Sequence, residues 1–474
     1  TMKFKISSST LIRDSSLFIS VLALSVSCQD KKDQESTAEK ENPNVVFILA
    51  DDLGWSQLGC YGSDYYQTPN IDRLAEDGMR FTNAYSAAAV CSPTRGSLMT
   101  GKHPARLNLT DFIAGSQFPD KPLQQPRWKK YLPLEEKTIG ELFKSKDYAT
   151  ASYGKWHLSK SKTPPESRSH NPTKQGFDEE FVTYKPASGY PLGEWQKSGE
   201  DPHSVDTLTD LTTNFIRQHR DSSFFVMISH NTIHDPLKED KERIEYYRNQ
   251  AASEKPQNHP VVAAMIETLD KSVGRILKTL EKYQLRENTL VIFYSDNGGK
   301  AAYASMDPFR KGKGWLYEGG IRVPLIARYP GVIPENTTNE EMVTSNDFYP
   351  TFCSLLDEPI PERPMDGVSI MPLLSGEKDT LERNTLYWHY PHYHRGSGME
   401  PAGAIRKGKY KLIVWYEELL MDASEPFELY NLGKDPGETN NLADDLPEKT
   451  EALYNDFKEW QNKVNAQMPE VRQK

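Results

Sequence analysis

Six short stretches carry side chains that could do chemistry together. Asp51-Asp52 and Asp296-Asn297 each close an apolar run and offer three carboxylates and one amide oxygen. Adjacent carboxylates raise one another's pKa, so Asp51-Asp52 is either a solvated turn at a strand end or part of a cation site. The second donor pair, backed by Gly298-Gly299 for a tight turn, tips the balance toward the cation. Such oxygen donors suit Ca²⁺ or Mg²⁺ and not a soft metal, and a flexible mixed set favours Ca²⁺. The third stretch is Cys91-Ser92-Pro93-Thr94-Arg95, where a lone cysteine beside a proline would ordinarily be structural. Gly154-Lys155-Trp156-His157 and the run from His230 to His234 add basic and imidazole groups, and Lys313 sits among glycines in KGKGWLYEGG. Taken singly, each lysine is ordinary solvated surface and each histidine ordinary packing. Their positions relative to the strands give them weight.

VVFILA (45–50), FFVMIS (224–229) and LVIFYS (290–295) are continuous apolar runs rich in β-formers, each followed by polar residues. That is the pattern of central strands covered on both faces. KTIGELFKSKDY (137–148) reads as a short amphipathic helix feeding ATASYGKWH, a strand and its exit loop. Leu269, Val273, Ile276, Leu277 and Leu280 fall on one face of a second helix. Strands alternating with helices predict an α/β fold with a large, doubly wound, mostly parallel sheet. Ligands in such sheets sit beyond the carboxyl ends of the strands. Asp51-Asp52, Lys155–His157, His230–His234 and Asp296-Asn297 all occupy that position. Residues 158–205 and 236–260 are rich in polar residues and proline and read as surface excursions walling a cleft. Beyond Gly367 the pattern changes. TLYWHYPHYHR (385–395), GAIRKGKYKLIVWY (403–416) and FELYNL (427–432) predict short antiparallel strands, followed by a helix near 446–466. We therefore expect a catalytic domain over 43–376 and a smaller C-terminal α+β subdomain over 377–474 that contributes to the cleft.

A chain of 474 residues with 37% hydrophobic and 26% charged residues is globular. Its formal net charge of -10 disfavours nucleic acid and anionic membrane surfaces as partners. A site for an anion must therefore show locally clustered Lys, Arg and His. Lys3, Lys5 and Arg13 precede an apolar run from Leu17 to Val26, the pattern of a signal peptide. Cys28 follows it and resembles the lipid-modified cysteine of bacterial lipoproteins. The expected organisation is a signal segment over 1–28, a polar linker over 29–42, and export to the periplasm or outer membrane. A membrane tether at lipidated Cys28 accompanies that reading, with soluble secretion as the alternative. Cys60 and Cys353 read as buried small hydrophobes, and the spacing suggests no disulfide framework.

The Cys-x-Pro-x-Arg core at Cys91, followed by Leu98, Thr100 and Gly101, resembles the sulfatase signature. The likeness extends through NVVFILADDLGW, TPNIDRLAEDGMRFTNAY, YGKWHL, IHDP, SDNGG and KGKGWLYEGGIRVP, over roughly residues 43 to 376. A weaker match continues through AIRKGKYKLI and LYNLGKDPGETNNLA. The chain is thus similar to the type I, formylglycine-dependent sulfatases of the alkaline-phosphatase-like superfamily. The resemblance implies that Cys91 is oxidised to formylglycine by a formylglycine-generating or anaerobic sulfatase-maturing enzyme, and that Arg95 steadies the hydrated aldehyde. It implies Ca²⁺ on Asp51, Asp52, Asp296 and Asn297, touching residue 91. It places Lys155 and His157 on the hydrate and the sulfate, with His157 as base. It puts His234 and Lys313 on the leaving-group side, His234 being the favoured acid.

Trp388-His389-Tyr390-Pro391-His392-Tyr393-His394-Arg395 concentrates aromatic and imidazole groups. It is either a packed strand with a polar turn or a surface for a sugar ring and its substituents. His392, His394 and Arg395 are the candidates there for the leaving-group sugar. His230 divides between second-layer support, substrate contact and packing. The expected reaction is hydrolysis of sulfate esters on carbohydrate, on a galactose or N-acetylgalactosamine unit of a sulfated polysaccharide or oligosaccharide. The rivals are a phosphomonoesterase or phosphodiesterase of the same superfamily, and a non-catalytic protein that binds sulfated glycans.

Overall fold

The computed structural model describes residues 42–160, 168–183, 201, 203–422 and 425–473. The signal segment, the linker up to residue 41 and Cys28 lie outside the described residues. Eight strands form the main sheet: β1 (Asn44–Ala50), β2 (Met79–Phe81), β3 (Ala149–Gly154), β4 (Glu179–Val182), β5 (Phe224–Ser229), β6 (Thr289–Ser295), β7 (Leu325–Arg328) and β8 (Thr337–Asn339). Their spatial order is β8-β2-β7-β6-β1-β5-β3-β4. Only β7 runs against its neighbours, pairing antiparallel with β2 and β6. β1 lies between β5 and β6, parallel to both.

Alternation along β1 shows why both faces are covered. Val45, Phe47 and Leu49 enter one core with α2 (Cys91–Thr100), α3 (Ile139–Lys144) and α6 (Phe348–Leu355). Val46, Ile48 and Ala50 enter the other with α1 (Pro69–Glu76), α4 (Val205–Gln218) and α5 (Pro260–Lys282). All seven residues of β1 are buried, so the apolar run needs no alternation in its sequence. The doubly wound reading therefore holds. The helix expected over 137–148 shrinks to six residues, Ile139–Lys144. Thr138 caps it through its side chain and Glu141, and Asp147 breaks it with a φ of 60°.

The second sheet is antiparallel, with four strands in chain order: β9 (Thr385–Tyr390), β10 (Ala402–Lys407), β11 (Tyr410–Trp415) and β12 (Phe427–Asn431). The run 403–416 is two strands and not one, because Gly408 turns the chain at φ 57°. The late helix appears as α7 (Pro447–Val464), packing Leu453, Phe457 and Trp460 on one face of this sheet. The other face buries Trp388 and Tyr390 against Tyr85 and Ile321 of the large body. An ion cluster also ties the small sheet to the large body: Lys411 Nζ reaches Glu318 at 3.0 Å and Glu438 at 2.8 Å, all three side chains buried. Burial, then Lys411, Arg406 and Arg322, set the Glu318 carboxyl; the cations win and hold it down to about 2.

Candidate active site

Four carboxyl ends of the main sheet converge. β1 delivers Asp51 and Asp52, and β6 delivers Asp296 and Asn297. The Asp52 N–H, on a residue with φ 63°, faces Asp296 Oδ1 at 3.3 Å and ties the two ends together. Gly298 has no substitute here, because a Cβ would lie 1.9 Å from the Gly319 carbonyl. β3 ends at Gly154 and leads to Lys155 and His157, while β5 leads to His230 and His234.

Cys91 opens α2, and Arg95 sits one turn later on the same face. Arg95 Nε meets Asp296 Oδ2 at 2.8 Å, and its Nη1 donates to the Lys155 carbonyl at 2.5 Å. Cys91 Sγ lies 3.5 Å from Asp51 Oδ1, 4.0 Å from Asp52 Oδ1, 3.1 Å from Lys155 Nζ and 3.6 Å from Lys313 Nζ. Lys155 Nζ also contacts Asp51 Oδ2 at 2.6 Å, and Lys313 Nζ contacts Asp52 Oδ1 at 2.6 Å. Three carboxylates thus face three cations around one sulfur.

The donors of Asp51, Asp52, Cys91 and Asp296 all lie within 4.8 Å of one another and are buried. Asn297 Oδ1 is buried there without a hydrogen-bond partner, while its amide nitrogen donates to Asp52 Oδ1 at 2.8 Å. An orphaned acceptor beside three carboxylates fits a hard, oxygen-seeking cation. With the acids already balanced by Arg95, Lys155 and Lys313, a bound dication would leave a positive surplus facing an incoming anion.

Burial, then the Asp296 charge, pushes the Cys91 thiol up to about 12 despite both lysines. Burial would raise Asp52, but Lys313, His234 and Lys155 hold it well below the carboxylate range. Burial followed by neighbouring cations, Lys155 for His157 and Lys313 for His234, pushes both imidazoles well below their ordinary value. His157 Nε2 bonds the Ile113 carbonyl, which only a protonated ring nitrogen can do, and leaves Nδ1 buried with no partner. His234 Nδ1 likewise faces the Asp235 carbonyl at 2.9 Å, and its Nε2 lies 3.9 Å from Asp52 Oδ2.

A cleft of about 610 Å³ opens over Cys91. His157, His234, Lys300, Lys311, Lys313 and His394 line it, and among the described residues no carboxylate does. The positive cluster required of an acidic chain is therefore present. The small sheet contributes His394, whose Nδ1 bonds Ser397 Oγ at 2.8 Å. Burial, then Lys313, pushes that imidazole down to about 4.

Two expected sugar contacts need correction. His230 is fully buried behind the sheet, its Nε2 3.2 Å from Ser272 Oγ on α5. His392 is fully buried too, bonded to Thr110 Oγ1 at 2.8 Å with its ring centred 4.6 Å from that of Trp128. Neither can touch a sugar. Arg395 is exposed outside the cleft lining, 5.7 Å above the Phe118 ring. Phe112, Lys300, Tyr303, Lys311 and Trp315 line the cleft instead. The sequence signal for the last two was their place in KGKGW; Phe112 and Tyr303 carried none.

Phe112 also shows how the small sheet supports the chemistry. Asp111 Oδ1 accepts from the Phe112 N–H at 2.8 Å and from Tyr390 O–H, on β9, at 2.9 Å. The next residue, Ile113, donates its N–H to Ser92 Oγ at 3.1 Å and offers its carbonyl to His157. Burial raises the Asp111 carboxyl to about 7, although Tyr390, the Phe112 amide and Lys130 lower it. In the unfolded chain it ionises near 3.8. Between these values the folded state binds the extra proton, so stability falls as pH rises. Asp111→Asn keeps an acceptor and removes the titration. It should gain on the parent chain by up to about 1.4 kcal/mol per pH unit from pH 4 to 7, read from thermal or denaturant unfolding. A constant offset across that window would remove Asp111 as the cause.

Comparison with known proteins agrees with this geometry. The profile of the family described as Sulfatase matches residues 43–358, and that described as N-sulphoglucosamine sulphohydrolase, C-terminal, matches 310–467. A protein named Sulfatase from Formosa agariphila is 32% identical, the alignment covering 94% of this chain and 92% of that one. Arylsulfatase A of Homo sapiens is 30% identical over 87% of this chain and 86% of its own. The crystal structure of Ps i-CgsB in complex with k-i-k-neocarrahexaose superposes with a TM-score of 0.72 at 27% identity, covering 89% of this chain and 93% of that one. The architecture is accordingly alkaline-phosphatase-like, and the chain belongs to the sulfatase family of enzymes.

Proposed function

We propose that this chain hydrolyses sulfate monoesters on a galactose or N-acetylgalactosamine unit of a sulfated polysaccharide or oligosaccharide, releasing inorganic sulfate. The observation that carries the reading is the meeting of Cys91 with three carboxylates and three cations beneath a cleft lined by cations. The oligosaccharide bound to the similar Ps i-CgsB structure supports a carbohydrate substrate. Asp51, Asp52, Asp296 and Asn297 would hold Ca²⁺, which supplies a Lewis acid for the ester oxygens. Formylglycine made from Cys91 by a maturing enzyme supplies, when hydrated, an oxygen nucleophile.

The chain's own residues do the rest. Lys155 and Lys313, within 3.1 and 3.6 Å of Sγ, offset the charge of the sulfuryl oxygens. His157 lines the cleft with Cys91 and keeps an unprotonated Nδ1, its tautomer fixed by the Ile113 carbonyl, as the base for the nucleophile. His234 lines the cleft with Nδ1–H on the Asp235 carbonyl; once the anionic ester offsets the charge of Lys313, Nε2 takes up a proton from solvent and passes it to the departing sugar oxygen. Export, with a lipid tether at Cys28, belongs to the same reading and rests on the apolar run from Leu17 to Val26.

The test is sulfate release from mono- and oligosaccharides each sulfated at one position, before and after exhaustive chelation. Release from galactose or N-acetylgalactosamine sulfates that disappears on chelation and returns with Ca²⁺ is expected. Hydrolysis of phosphate esters with no sulfate release would overturn it. His234→Ala should cost roughly 10²–10⁴-fold in kcat on a sugar sulfate. The loss should be far smaller on 4-nitrophenyl sulfate, whose phenolate leaves without a proton. Equal losses on the two substrates would remove His234 as the acid.

A further inference from the structure

Three lysines line the cleft, and their charges are spent differently. Lys313 is bound to Asp52 at 2.6 Å, and Lys300 is in contact with Asp235. Lys311 is exposed and, among the described residues, has no acidic partner; its Nζ rests 4.6 Å above the centre of the Trp315 ring. Its backbone holds φ 62°, a conformation that costs a lysine about 1 kcal/mol and a glycine nothing. The turn cannot easily relax. Gly319 N–H is bonded to the Arg310 carbonyl at 3.1 Å, Lys313 N–H to the Gly299 carbonyl at 2.8 Å, and a Cβ on Gly312 would lie 2.3 Å from that same carbonyl. The backbone of a charged residue is thus held in the left-handed region at the rim of the site.

The position of the rim is informative. A second cavity of about 660 Å³, whose wall includes Phe309 and the charged residues Asp307, Arg310 and Glu438, shares Ala301 and Lys311 with the cleft over Cys91. Each cavity alone falls in the ~300–1,000 Å³ range of a small-molecule site. A substrate of more than one sugar seated over Cys91 would cross the rim at Lys311. The ammonium there, held over the Trp315 ring and without an acidic partner among the described residues, would face the neighbouring unit.

We propose that Lys311 selects substrates carrying a second anionic group, a sulfate ester or a carboxylate, on the sugar next to the one that is desulfated. This rests on the sulfatase reading above and narrows its substrate class to polyanionic oligosaccharides. Three disaccharides with the same scissile sulfate would test it, their neighbouring sugar being neutral, sulfated or a uronate. One or both anionic neighbours should raise kcat/KM by roughly three- to tenfold over the neutral one at low salt, and the preferred arm identifies the group. The advantage should shrink toward unity in 0.5 M salt, where the Debye length falls to about 4 Å. Lys311→Met, which keeps an unbranched side chain beside Trp315 and removes the charge, should bring the ratio close to one. A parent enzyme indifferent to the neighbour's charge, or a Lys311→Met variant that keeps the preference, would overturn the proposal. No sulfate release from any of the three would instead refute the sulfatase reading, and this inference with it.

Discussion

Cys91→Ala is expected to lower sulfate release by on the order of 10⁴–10⁶-fold, the scale seen when a nucleophile is removed from a preorganised site. Cys91→Ser should fall nearly as far. The residue sits at the first position of α2, where its backbone is held by the helix and its side chain by Asp51, Asp52 and two lysines. Alanine fits that backbone, so the fold should lose only about 1 kcal/mol, and sugar binding should survive. The two observables separate the roles: turnover collapses while the unfolding midpoint and the affinity for a sulfated oligosaccharide stay close to those of the parent. A mass shift of the peptide containing residue 91 in the parent, absent in both variants, ties the loss to formylglycine. Substantial turnover by Cys91→Ser would end the formylglycine reading.

The fold was legible wherever burial on both faces writes a continuous apolar run. β1, β5 and β6 fall within one residue of the runs at 45–50, 224–229 and 290–295. The central chemistry was legible for a related reason. Residues that must reach one point from separate strands appear just past each strand: Asp51, Lys155 and Asp296 directly follow β1, β3 and β6, and His234 lies in the loop that leaves β5. The cleft wall was not legible. His392 and His394 are two residues apart in one polar turn, yet one is sealed against Trp128 and the other lines the cleft. Whether a side chain on such a turn points in or out depends on Thr110, Trp128 and Phe112, which arrive from almost three hundred residues away in sequence. Periodicity carries no information about those contacts. Phe112 was missed for the same reason: its place is set by Asp111 and by Tyr390 from the small sheet.

Those long-range supports suggest where the site is most fragile, and the Arg95–Asp296 pair is the extreme case. Both side chains are essentially inaccessible, 2% and 0% exposed. Arg95→Ala would leave Asp296 buried beside Asp51 and Asp52 with Lys155 and Lys313 as the remaining cations. Breaking one side of a buried pair costs about 3–5 kcal/mol, because the orphaned charge keeps its desolvation penalty. We therefore expect a loss of that size in denaturant unfolding, along with loss of turnover. Adding Asp296→Ala should cost less than its effect alone, giving a coupling of about 1–3 kcal/mol in a double-mutant cycle. Arg95→Lys is no remedy. One guanidinium spans both Asp296 Oδ2 and the Lys155 carbonyl, whereas an ammonium offers a point charge without the fork to hold two fixed acceptors. It should recover part of the stability and little of the rate. Additive effects of the two alanines would mean that Arg95 matters for packing and not for charge, and the electrostatic account of residue 91's surroundings would fail with it.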